Sequence, residues 1–210
     1  LADFVRPGND FALARAALAL AGFVPRFGSG RYASLREQLE EFGGGLEVSL
    51  LAAVPQGSGL GTSSILAATL LAALSELCGL HWDHQALINR TLALEQLLTT
   101  GGGWQDQAGG IFPGAKLVET ASGLPQVPTL RWLPERLFAP EVAGAQVLLY
   151  YTGITRMAKG ILREVVRGVL LNAPAHLDVL SDVGANALAC ADAIQRADWS
   201  ALCASVRRSW

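Results

Sequence analysis

Apolar positions recur at helical spacing in several separate stretches of the chain, and polar or glycine-rich breaks punctuate them. Asn9 or Asp10 caps a predicted helix through FALARAALALAG that stops at Gly22. A polar turn with Pro25, Gly28 and Gly30 follows, and Ser34-Leu-Arg-Glu37 reads as a capping box opening a short helix to Glu41. After Gly43-Gly44-Gly45, alternation at Leu46, Val48 and Leu50 predicts a strand from Leu46 to Val54, with its later part buried on both sides. The run from Ser63 to Cys78 carries a single charge, Glu76, so it predicts a helix enclosed by protein at the centre of the fold. Asp83 caps the next helix, His84 to about Leu98, whose Leu87, Ile88, Thr91, Leu92, Leu94 and Leu98 share one arc. Further on, AKLVET and VPTLRWL predict a hairpin around Ser122-Gly123. Ala145–Gly153 reads as a buried strand, Ile161–Leu171 as a helix, and Asp182–Ala204 as an alanine-rich helical tail.

Composition narrows the class. The 210 residues are 51% hydrophobic and 16% charged, which describes a compact chain with a sizeable core. A net charge of −2 with only Lys116 and Lys159 as lysines leaves no basic stripe for nucleic acid. The longest apolar run, Ile65–Leu74, is too short to span a bilayer, and no signal peptide is visible, so no membrane partner is expected. Cys78, Cys190 and Cys203 are odd in number and widely spaced, which reads as reduced thiols of a cytoplasmic protein.

Chemistry concentrates at the junction between the Leu46–Val54 run and the following helix. There PQGSGLGTSS (Pro55–Ser64) alternates Gly57, Gly59 and Gly61 and continues into Thr62, Ser63 and Ser64. Glycines let the backbone turn its N–H groups inward, and the unpaired amides of a helix N-terminus face the same point, so the stretch predicts a phosphate cradle. It is not a Walker A loop, because no lysine follows Gly61, and its glycine spacing does not fit the dinucleotide fingerprint. Glu95, seven residues from Ile88, sits in the middle of an apolar arc, where a carboxylate must be paired, protonated or bound to a cation. In GGGWQDQAGG five glycines surround Gln105-Asp106-Gln107, which suggests a flexible site acid or else a solvated turn. Thr152, Thr155 and Arg156 fall at a second strand-to-helix junction, where Arg156 fits either an anion contact or a surface ion pair.

Three segments in order, PQGSGLGTSS, GGGWQDQAGG and YYTGITRMAKGIL (Tyr150–Leu162), resemble the GHMP kinases. Within that family they are similar to the sugar-kinase branch of L-fucose kinases and heptose 7-phosphate kinases, and most to the former. The resemblance implies an α+β fold: a ribosomal protein S5 domain 2-like N-terminal part over 1–144 and the start of an α+β C-terminal domain over 145–210. It implies that Pro55, Gly57, Ser58, Gly59, Leu60, Gly61, Thr62, Ser63 and Ser64 hold the phosphates of ATP. Ser63 and Glu95 become Mg²⁺ ligands, Asp106 the catalytic aspartate, and Thr155 and Arg156 further phosphate or sugar contacts. The implied reaction is transfer from ATP to the anomeric hydroxyl of L-fucose. The family's first motif and its glycine-rich third motif are not found, so the expectation is a piece of a kinase. A truncated chain that binds nucleotide without turnover, and a heptose kinase, stand as alternatives.

Overall fold

The computed structural model describes residues 11–24, 26–28, 31–55, 58–98, 103–123, 127–153 and 159–210, the first four of the last range by backbone alone. The chain forms two compact units, one made mainly of residues 1–112 with Gly153, the other of Pro113–Thr152 and the chain from 158 on. The division falls between Phe112 and Pro113, so the family boundary expected at 144/145 lies inside the second unit.

Unit one is helical among the described residues. Helix α1 (Ala12–Leu18) runs into a π-helical turn, Ala19–Phe23, and is followed by α2 (Leu35–Phe42), α3 (Thr62–Leu77), α4 (His84–Leu97) and α5 (Gln105–Ile111). The polar starts act as anticipated. Ser34 Oγ accepts from the Glu37 amide at 3.2 Å, while Glu37 reaches back to the Ala33 amide at 2.8 Å. Asp83 Oδ1 accepts from the Ala86 amide at 2.7 Å and so caps α4. Helix α3 stops where Gly79 turns left-handed, letting the Leu80 amide return to the Ser75 carbonyl at 2.8 Å.

Helix α3 packs against α1, α4 and α5. The core holds Ala16, Ala17, Ala67, Leu70, Leu71, Leu74, Leu87 and Leu94, and the small alanines bring the helix backbones close. One expectation is corrected here: α3 is not enclosed all round. Its buried positions, Ser64, Ala67, Ala68, Leu70, Leu71, Leu74 and Ser75, form one face, while Ile65, Thr69, Ala73 and Leu77 are exposed.

The predicted Leu46–Val54 strand also does not form. Leu46 and Val48 do pack on the core, as their alternation implied, but Leu51 is 89% exposed and the run joins no sheet. A strand's backbone groups need a neighbouring strand, and the sheet among the described residues consists of one hairpin in the other unit.

Unit two begins with that hairpin. β1 (Lys116–Glu119) pairs antiparallel with β2 (Thr129–Trp132), with Lys116 opposite Trp132 and Glu119 opposite Thr129. A 3₁₀ turn, Arg136–Phe138, leads to α6 (Pro140–Gln146) and then α7 (Lys159–Leu170), α8 (Pro174–Arg196) and α9 (Trp199–Ser209). Leu133, Leu137, Ala191, Ala193, Ile194 and Leu202 make its core. The helical tail is thus two helices, broken where Ala197 adopts a left-handed conformation and Asp198 caps α9 through the Ala201 amide at 3.0 Å. The strand predicted over Ala145–Gly153 is a second correction. Its first residues end α6, and Leu148 is 89% exposed, again with no neighbouring strand among the described residues.

Candidate active site

The glycine loop leads straight into α3, and its described part takes the conformations that only glycine adopts freely. Gly59 and Gly61 have φ of +79° and +64°. Gly61 is the residue before the helix, so the unpaired amides of the first α3 turn lie beside it. A Cβ on Gly61 would sit 3.3 Å from Asp106 Oδ1, which places the Asp106 carboxylate against the loop. Asp106 comes from α5, a short helix where the sequence predicted a flexible glycine-rich segment.

A single turn of α5 also explains Gln107. This residue is 1% exposed, and its Nε2 donates to Glu95 Oε2 at 2.6 Å. Glu95, 8% exposed on α4, accepts a second, very short hydrogen bond at Oε1 from the Ser64 hydroxyl. Three helices therefore contribute to one polar cluster, Ser64 from α3, Glu95 from α4 and Gln107 from α5, with Asp106 next to it. Burial pushes the Glu95 carboxyl above its ordinary range; the Asp106 charge pushes the same way, and the hydrogen bonds from Ser64 and Gln107 oppose the shift.

The serine in contact with Glu95 is Ser64, whereas the family resemblance aligned Ser63 with a metal ligand. Ser63 points to solvent one residue earlier on α3, about 100° away around the axis. Thr62 Oγ1, Ser58 Oγ and Gln107 Oε1 are buried without a hydrogen-bond partner. Pro55 and Leu60 are exposed on the loop. Gly57, Thr155 and Arg156 lie outside the described residues. Sequence reasoning singled out Glu95 and Asp106 but missed Gln107; the signal available was its place directly after Asp106.

The donor set suits a hard divalent cation. Two carboxylates and the orphaned hydroxyl of Thr62 offer only oxygen, the ligand type Mg²⁺ takes, and a buried carboxylate beside a second one is relieved by positive charge. Among the described residues no group of three or more His, Cys, Asp or Glu is placed to hold a metal ion.

Residues 31–114 match the family described as GHMP kinases N terminal domain. The whole chain is 54% identical over 211 aligned residues to an L-fucokinase/L-fucose-1-P guanylyltransferase of Bacteroides fragilis, and spans 22% of that protein. A bifunctional fucokinase/GDP-fucose pyrophosphorylase of Arabidopsis thaliana is 41% identical over 58% of the chain and 12% of its own length. A D-glycero-alpha-D-manno-heptose 7-phosphate kinase of Campylobacter jejuni is 29% identical over 75% of the chain and 45% of its own length. The matched stretch, 31–114, contains the glycine loop, Glu95 and Asp106, so the candidate site lies in the part of the chain that matches the GHMP kinases N terminal domain.

Proposed function

We propose that this chain carries the phosphate- and acid-bearing part of a cytoplasmic sugar kinase that uses ATP to phosphorylate L-fucose at its anomeric hydroxyl. The observation that carries the reading is the meeting of Asp106 with Gly61 of the glycine loop, directly beside buried Glu95. A phosphate chain lying on the loop would accept hydrogen bonds from the backbone amides of the first α3 turn. Asp106 is then placed to accept the proton of the sugar hydroxyl as that oxygen forms its bond to the γ-phosphorus and the bond to the bridging oxygen of ADP breaks. Glu95 and Asp106, with the Thr62 hydroxyl, would hold Mg²⁺, which when bound would neutralise charge on the phosphates, whereas the exposed Ser63 hydroxyl, aligned with a ligand by the resemblance, would have to turn toward them to join. Ser64 and Gln107 orient the Glu95 carboxylate through its two oxygens. Thr155 and Arg156 complete the proposal as phosphate or sugar contacts, and residues 1–144 and 145–210 as parts of the two family domains.

Fucose is favoured over a heptose phosphate by the 54% identity to a fucokinase against 29% to a heptose kinase. The test is sugar-dependent ADP release in a chain that also carries the flanking sequence of these relatives. Asp106→Asn should lower turnover by roughly 10²–10⁴-fold, the usual contribution of a positioned acid–base group. Near-wild-type turnover in that variant would remove Asp106 from the chemistry. A panel of L-fucose and heptose 7-phosphate decides the sugar. For the 210-residue chain alone, a melting temperature raised by Mg·ATP, with no response to fucose and no ADP, would mean nucleotide binding without transfer.

A further inference from the structure

A second polar feature of unit one lies away from the glycine loop. A cavity of about 370 Å³ is lined by Gly22, Phe27, Gln38, Leu80, Trp82 and Arg90, among others. The Arg90 guanidinium lies over the Trp82 ring, 4.1 Å from its centroid. That contact uses one face of the guanidinium and leaves its N–H edge unserved. Arg90 Nε is buried with no hydrogen-bond partner, and none of the ion pairs among the described residues involves Arg90. Gln38, the other polar side chain in the wall, is already engaged, its Nε2 donating to the Gly22 carbonyl at 3.1 Å.

This site is separate from the phosphate cradle. Trp82 follows the C-terminal end of α3, whose 16 residues span about 24 Å from the glycine loop. Arg90 and Glu95 share α4, but five residues of separation turn them about 140° apart around its axis. The cavity thus opens on another side of α4 from the Glu95 cluster.

We propose that this cavity binds a small organic anion, a carboxylate with a flat apolar body, whose head pairs with the two terminal N–H groups of Arg90 while the body lies against Trp82, Phe27 and Leu80. A guanidinium donates two parallel N–H bonds to a carboxylate, a geometry fixed in advance here by the stacking on Trp82. Aromatic and aliphatic walls around one cation are the composition of a small-molecule site with a single orienting charge. The proposal is independent of the phosphoryl-transfer reading and uses none of its residues.

The probe is benzoate, titrated into the 210-residue chain while the Arg90 Nε–Hε and Trp82 indole resonances are followed by NMR. Saturable shifts of both are expected. Acetate and inorganic phosphate, which lack the apolar body, should bind at least tenfold more weakly. Arg90→Met should weaken benzoate at least tenfold, and Arg90→Lys, which keeps the charge but loses the fork, by an intermediate factor. No saturable shift, benzoate binding retained in folded Arg90→Met, or equal affinity for phosphate would each overturn the proposal.

Discussion

Replacing Ser64 with alanine tests the polar cluster most directly. Ser64 is 4% exposed and donates to a buried carboxylate, so water cannot take over the bond once the hydroxyl is gone. A hydrogen bond to a charged group contributes about 1.5–3 kcal/mol, against about 0.5–1.5 kcal/mol for a neutral one. Ser64→Ala should therefore lower stability by about 2 kcal/mol at pH 8. The cost depends on pH through Glu95. Its folded-state pKa is raised, so the folded protein holds the Glu95 proton more tightly than the unfolded chain does. The favourable contribution of that proton is fully present below the ordinary value of 4.5, and it is lost as pH rises through the raised folded value. At pH 4 Glu95 is neutral in the folded protein and mostly neutral in the unfolded chain, and the loss of Ser64 should shrink to about 1 kcal/mol. Because Ser64 is one of the groups holding the pKa down, its removal should also steepen the decline of stability with pH. Urea denaturation at both pH values, with Glu95→Gln and the double variant, measures the coupling. Ser64→Ala should cost less in the Glu95→Gln background, where no charge remains to be solvated. Exposed Ser63 gives the control: Ser63→Ala should stay within about 0.5 kcal/mol of the parent. A Ser64→Ala effect below about 0.5 kcal/mol at pH 8, or one unchanged by Glu95→Gln, would refute the reasoning.

Three further outcomes follow from local geometry. A Cβ at Gly110 would lie 2.7 Å from Ile65 Cγ1, so Gly110→Ala should destabilise by about 1–3 kcal/mol in urea titration, and should become neutral or stabilising in an Ile65→Ala background. Ala197 ends α8 with φ of +55°, and Ala197→Gly should raise the melting temperature through about 0.5–1 kcal/mol of relieved strain; a lower value would contradict this. Buried Asn186 ties α8 to α9 by donating to the Ser205 carbonyl at 2.9 Å and Ser209 Oγ at 2.8 Å. Asn186→Ala should cost about 1–3 kcal/mol in urea titration, and a loss under about 0.5 kcal/mol would show these bonds to be dispensable.

Local signals were enough for the elements whose hydrogen bonds close within one segment. The α2 and α4 starts followed from Ser34 and Asp83, the α3 stop from Gly79, and the hairpin from turn residues between two β-rich runs. The same holds for the turn of the glycine loop, because glycine is the residue that reaches the conformations of Gly59 and Gly61 freely. Glu95 was conspicuous for a related reason: a carboxylate within an apolar arc stands out on a helical wheel before any neighbour is known.

Tertiary structure decided what depends on residues far apart in the chain. Whether Leu46–Val54 becomes a strand depends on another strand beside it, and alternation cannot supply that partner. Ser63 and Ser64 have the same side chain, and only the packing of α4 on α3 selects which of them meets Glu95. Gln107 turns inward because five glycines did not keep the Asp106 segment from forming a helix against α3 and α4. The sequence by itself named the acids and the loop. Helix packing chose the hydroxyl and the amide that hold Glu95 in place, since 100° per residue separates neighbours that sequence position treats as equivalent.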